Sequence, residues 1–102
     1  MTKNILILPG DGIGQEVTSS AKEVLDFLIL ENKLDFNITN MDVGGTAYEK
    51  HGSPLPNNVL EQARLSDAIL FGAVGAPQWD NLDWDNRPEQ ALLGLRKELE
   101  LF

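Results

Sequence analysis

Glu89, Leu92, Leu93 and Arg96 place an acid, two branched apolar side chains and a cation in a stretch whose spacing predicts a helix. At about 100° per residue they share roughly a quarter of the helix circumference. Leu95, Leu99 and Phe102, spaced i, i+4, i+7, fill the neighbouring sector. One sector can therefore pack into a core while the other faces a cleft, the guanidinium suiting an anionic group and the leucines a branched apolar one. An ordinary amphipathic helix with a surface ion pair fits the same pattern. Position favours a site, because the stripe follows a long loop, residues 72–88, rich in Gly, Pro, Trp, Asp and Asn and without regular periodicity. Loops of that length in small domains commonly serve binding, and loop and helix together can wall one pocket.

Other motifs are weaker. Gly72-Ala73-Val74-Gly75-Ala76-Pro77 leaves the carboxyl end of a predicted strand, where open α/β sheets gather ligands, although a plain turn explains it about as well. Gly10-Asp11-Gly12-Ile13-Gly14 lies between a strand and a helix, a setting that attracts anions, but its G-x-G-x-G spacing lacks the third glycine of the dinucleotide fingerprint. Spacing alone makes it a tight strand-to-helix turn. Asp80, Asp83 and Asp85 match no calcium loop and read as a solvated acidic face. Trp79 and Trp84 can stack on a cofactor or pack the loop onto the domain. His51 sits in a turn with no nucleophile or acid at a telling distance, and Asp42 and Tyr48 read as structural, on an edge strand and a helix surface.

These residues need a scaffold. Ile5 to Leu8 is an apolar run closed by Pro9-Gly10, the pattern of a central strand buried on both faces of a parallel sheet. Val17, Ala21, Val24, Leu25 and Leu28 then mark the inward face of a helix ending near Asn32. A second strand runs from Phe36 and Ile38 toward Met41 and Val43, closed by Gly44 and Gly45. A short helical piece follows around Ala47 to Lys50, and a helix led by Pro56 carries Val59, Leu60 and Ala63. Ala68 to Phe71 form the third strand. Asp85 or Asn86 caps the last helix, with Pro88 in its first turn. The alternation predicts an α/β fold with parallel strands and right-handed crossovers. Three strands with exposed helix faces and a last helix without a C-cap read as an incomplete sheet.

Composition narrows the class further. With 102 residues, 42% hydrophobic and 24% charged, the chain has the size and balance of one small soluble domain. Its net charge of -8, with scattered Lys and Arg, argues against nucleic acid and anionic membranes. No cysteine is present, so disulfides, thiolate metal sites and a cysteine nucleophile are excluded within this segment. The opening apolar run is too short for a signal peptide and nothing approaches a membrane span, which together suit the cytoplasm.

Taken together, LPGDGIGQEV at Leu8 to Val17, MDVGGTAYEKHGSPLP at Met41 to Pro56, ILFGAVGAPQWD at Ile69 to Asp80 and the closing ALLGLRKELELF resemble the isocitrate/isopropylmalate dehydrogenase family. The resemblance covers nearly every residue, but only the amino-terminal part of a much longer enzyme. It implies that residues 1–102 are the first segment of an NAD-binding domain whose parallel or mixed sheet with flanking helices is not a Rossmann fold. It also implies a homodimer, a small-molecule substrate, and Mg²⁺ or Mn²⁺ held by residues outside this segment.

By the same resemblance, NAD lies against the loop from Ala76 through Pro77, Gln78, Trp79 and Asp80 to Glu89, with Ile13 near the adenosine and Glu89 near the nicotinamide. Arg96 binds substrate carboxylate, and Leu92 and Leu93 contact an isopropyl group. Isocitrate carries an extra carboxylate, for which such enzymes typically present a serine here; two leucines offer it no hydrogen bond. Isopropylmalate and leucine biosynthesis are thus favoured. Tartrate and homoisocitrate dehydrogenases, or a non-catalytic nucleotide- or partner-binding fragment, are the alternatives. Ala76 departs from the family's usual second glycine. A second substrate arginine is expected just beyond Phe102, and the later arginine, tyrosine, lysine and metal-binding aspartates are absent, so no catalytic residue is assigned.

Overall fold

The computed structural model describes residues 2–101. Three parallel strands, β1 (Lys3–Gly10), β2 (Phe36–Asn40) and β3 (Ala68–Ala73), lie in the order β2-β1-β3. The central place of β1 follows from its composition. Leu6, Ile7 and Leu8 are at most 1% exposed, as an apolar run requires when helices cover both sides of a sheet. Each such side chain is worth ~1.5–3 kcal/mol on burial, which makes this strand the anchor of the domain. Opposite Leu8 stands Phe71, and opposite Gly10 stands Ala73, so β1 and β3 end side by side. Since β2 and β3 flank β1 on opposite sides, the region just outside the carboxyl ends of β1 and β3 is the switch point where open α/β sheets take ligands.

Helix α1 (Ile13–Asn32) packs on β1 and β3 from one face. On the other, α2 (Gly44–His51), α3 (Asn57–Leu65) and α4 (Glu89–Glu98) close a core of Leu6, Leu8, Val43, Val59, Ala63, Ala91 and Leu95. Leu95 is buried and Leu99 packs against this cluster, as the periodicity of α4 predicts; Phe102 lies outside the described residues.

Several local expectations change. The inward line of α1 runs through Gly14, Thr18, Ala21 and Leu25, whereas Val17, Val24 and Leu28 are 43–60% exposed. Small residues win that face because the helix start lies against strand backbone: a Cβ on Gly14 would meet Pro9 O at 2.1 Å. Strand β2 stops at Asn40, and Gly44, with φ 76°, opens α2 rather than closing a strand. Asp42 is therefore in the connecting turn, not on an edge strand, and pairs with Lys50 at 2.8 Å. Strands β1 and β3 run on to Gly10 and Ala73 because those residues pair with each other. Asp85 and Asn86 do not cap α4 by side chain; they sit in a 3-10 turn, Trp84–Asn86, and buried Pro88 is the N-cap. The long loop also holds a turn at Pro77–Trp79, and Arg87 Nε donates to Leu82 O at 3.0 Å. Its order comes from anchors, which leave no periodic trace.

Candidate functional site

The switch point is built from backbone. Gly10 and Gly12 adopt φ of 81° and 51°, a region glycine enters without the steric cost of a Cβ. A Cβ on Gly10 would lie 2.0 Å from Ala73 O, so the two strand ends touch main chain to main chain, and Asp11 N donates to Ala73 O at 2.7 Å. Gln15 Nε2 donates to Gly10 O at 2.8 Å, fastening the helix to the strand end, while within the helix Thr18 Oγ1 donates to Gly14 O at 2.7 Å.

Asp11 is 1% exposed. A buried carboxylate is costly unless donors replace its water, and here four do. Oδ2 accepts from Gly45 N at 2.8 Å and Gly75 N at 2.9 Å, while Oδ1 accepts from Thr46 N and Thr46 Oγ1, both at 2.8 Å. Two of these donors are first-turn N–H groups of α2, whose helix dipole adds to the attraction. One side chain thus joins the β1 turn, the start of α2 and the loop after β3. Sequence reasoning assigned Asp11 no role; the signal was an acid between two glycines at a strand end.

Trp79 resolves the question of stacking or packing. Its ring is buried under Gly45, where a Cβ would come within 2.2 Å of it, and its Nε1 donates to Glu49 Oε1 at 3.0 Å. The indole is taken up by the protein. Trp79→Phe is expected to cost ~1–2 kcal/mol through the lost hydrogen bond and ring volume, measured by urea unfolding. An unchanged midpoint would contradict this packing role. Trp84, by contrast, is 60% exposed.

From the switch point an open strip leads along α4. Ile13, the first residue of α1, is 67% exposed. Beside it, the Cβ position of Gly12 is free apart from Gly75 O at 4.0 Å, and the Cβ position of Gly75 is 3.3 Å from Glu89 Oε1. Glu89 begins α4, and Leu92, Leu93 and Arg96 follow on its exposed side. Seven residues at ~1.5 Å rise set Arg96 about 10 Å from Glu89. Among the described residues the Arg96 guanidinium makes no ion pair or hydrogen bond. Ala76, Pro77, Gln78 and Asp80 follow Gly75 along the loop, with Pro77, Gln78 and Asp80 exposed. The positive φ of this loop, 105°, belongs to Gly75, whereas Ala76 is extended at φ −160°, which any residue adopts. Alanine there is unstrained.

His51 is exposed at the end of α2, away from the strip's residues in sequence and element. Among the described residues no three His, Cys, Asp or Glu side chains gather in a metal-holding group, and no helix is long and apolar enough to cross a membrane.

The family described as isocitrate/isopropylmalate dehydrogenase matches residues 4–102. The chain is 55% identical to 3-isopropylmalate dehydrogenase of Hydrogenovibrio crunogenus over 102 residues, covering 100% of this chain and 29% of that relative. It is 49% identical to the enzyme of the same name from Paramagnetospirillum magneticum, covering 98% of this chain and 27% of that one. Among solved structures, a beta-decarboxylating dehydrogenase of Thermococcus kodakarensis superposes with a TM-score of 0.77 at 34% identity, over 96% of this chain and 27% of that one. The chain thus spans under a third of the length of the relatives it matches.

Proposed function

Because this chain belongs to the isocitrate/isopropylmalate dehydrogenase family, we propose that the whole protein is a 3-isopropylmalate dehydrogenase. The reaction is NAD-dependent oxidative decarboxylation of (2R,3S)-3-isopropylmalate to 4-methyl-2-oxopentanoate and CO₂, a step of leucine biosynthesis. The observation that carries this choice of substrate is the exposed stripe of Leu92, Leu93 and Arg96, continuous through Glu89 and Gly75 with the switch point. The relatives' name supports the same reading.

The residues present suit a nicotinamide dinucleotide. Gly12 leaves open space beside backbone, with Gly75 and the Glu89 carboxylate at its edge, and Ile13 offers an apolar surface next to it. In this reading Ile13 borders the adenosine, residues 76–80 flank the body of the cofactor, and Trp79 acts by holding that loop rather than by stacking. Glu89 puts negative charge beside the positively charged oxidised nicotinamide. When bound, NAD supplies the acceptor for the hydride of the substrate's carbinol carbon.

Arg96 pairs its planar guanidinium with a substrate carboxylate through two parallel hydrogen bonds, fixing the carbinol carbon relative to Glu89. Leu92 and Leu93 receive the isopropyl group. They are 39% and 41% exposed, so apolar surface is available to be covered by substrate. A divalent cation, Mg²⁺ or Mn²⁺, belongs to the family reading, but the described residues form no group to hold one, and this chain's part is confined to cofactor and substrate contacts. The reading extends to a cytoplasmic homodimer.

The double substitution Leu92→Ala/Leu93→Ala tests the pocket. Truncating two leucines removes ~2–3 kcal/mol of apolar contact, so kcat/KM for isopropylmalate should fall ~30- to 150-fold. Turnover of malate of the same configuration, which lacks the isopropyl group, should change less than threefold. Equal losses on both substrates, or none on either, would remove the leucines from the pocket.

A further inference from the structure

Asp11 does more than complete a turn. Its two carboxylate oxygens accept from donors 34, 35 and 64 positions away in sequence, and the most distant is the N–H of Gly75, the residue whose Cβ position lies 3.3 Å from Glu89 Oε1. Gly75 has φ 105°, which glycine reaches without strain and with wide freedom, so the bond from its N–H to Asp11 Oδ2 at 2.9 Å is what selects one orientation. The same oxygen, Oδ2, also holds Gly45 N, and Gly45 is the floor on which the Trp79 ring lies. The loop of residues 75–79 is therefore pinned at both ends, directly at Gly75 and through Gly45 at Trp79. Asp11 itself is 1% exposed and touches no open surface.

We infer that Asp11 is a positioning residue for the cofactor face: it sets the orientation of the Gly75 peptide and the 75–79 loop on which NAD lies, without contacting the cofactor. This rests on the cofactor reading given above. Asp11→Asn keeps the size but turns one acceptor oxygen into a donor. Whichever oxygen is replaced, at least one backbone N–H of Gly45, Thr46 or Gly75 loses its partner and faces another N–H. Thr46→Val removes only the hydroxyl donor and leaves all three backbone bonds, so it disturbs the same carboxylate without releasing the loop.

Three proteins, the full-length gene product and its Asp11→Asn and Thr46→Val variants, are compared by amide hydrogen exchange of the segment 72–80 and by calorimetric titration with NAD. In the unsubstituted protein the Gly75 amide should be protected without cofactor. Asp11→Asn should speed exchange of that segment at least tenfold and weaken NAD binding at least tenfold. Thr46→Val should change both less than threefold.

Faster exchange in Asp11→Asn with unchanged NAD affinity would overturn the inference while leaving the cofactor reading intact. So would a Gly75 amide that exchanges at the rate of an unstructured peptide in the unsubstituted protein, a result that does not depend on the variant folding. If the unsubstituted protein binds no NAD, the cofactor reading fails, and positioning of a cofactor face by Asp11 falls with it. Exchange then reports separately whether the tie to Gly75 exists.

Discussion

Gly14→Ala is expected to melt many degrees below the unsubstituted protein. The added Cβ would stand 2.1 Å from Pro9 O, 2.7 Å from Ala73 O and 2.8 Å from Ala73 N. All three are backbone atoms of the paired strands β1 and β3, so no side chain can swing aside to relieve the overlap. Alanine's better helix propensity, worth about 1 kcal/mol, does not offset moving α1 off the sheet. The expected loss is ~4 kcal/mol or more, a large fraction of the 5–15 kcal/mol that holds an ordinary domain together. Gly94→Ala is the internal comparison, because its Cβ meets only Leu55 Cδ2, at 2.8 Å, the far end of a flexible side chain. Thermal melts of the two variants in the full-length gene product should differ by many degrees. Similar melting temperatures would mean that α1 does not lie on the strand backbone as described.

Replacement of Arg96 by lysine should leave folding untouched and damage turnover. Arg96 is exposed and has no ion pair among the described residues, so nothing in the fold loses a partner. Lysine keeps the charge but not the planar fork, and a carboxylate held by two parallel N–H donors becomes one held by a single ammonium. Loss of one charge-assisted hydrogen bond, ~1.5–3 kcal/mol, corresponds to a fall of ~10- to 150-fold in kcat/KM for isopropylmalate. KM for NAD and the melting temperature should stay within error of the parent. Unchanged kinetics would take Arg96 out of the substrate site, and a lowered melting temperature would make it structural.

The periodic parts of the molecule were legible in the sequence. The run Ile5–Leu8 reads as a strand buried on both faces because no polar residue interrupts it, and Leu6 to Leu8 are buried as that requires. The two faces of α4 separate by spacing alone, Ala91 and Leu95 inward and Leu92, Leu93 and Arg96 outward. What the pattern could not carry is contact across the chain. Val17, Val24 and Leu28 look like the inward face of α1 by hydrophobicity, yet close backbone approach at Gly14 turns the helix so that small residues face the sheet. Gly45 looks like a strand terminator, and only the Trp79 ring lying 34 positions further on explains its lack of a side chain. Asp11 was hidden for the same reason: each of its donors belongs to another element. The candidate site shows the same division, its α4 stripe read from spacing and its link to the switch point from folded geometry.

The most direct test of the account is NADH formation by the full-length gene product supplied with NAD and a divalent cation, comparing 3-isopropylmalate with isocitrate. NADH should form with isopropylmalate in equal amount to CO₂ released, and kcat/KM should be at least 100-fold lower for isocitrate, whose additional carboxylate would meet Leu92 and Leu93 without a hydrogen-bond partner. Efficient turnover of isocitrate, or no isopropylmalate-dependent NADH from a folded full-length protein, would contradict it.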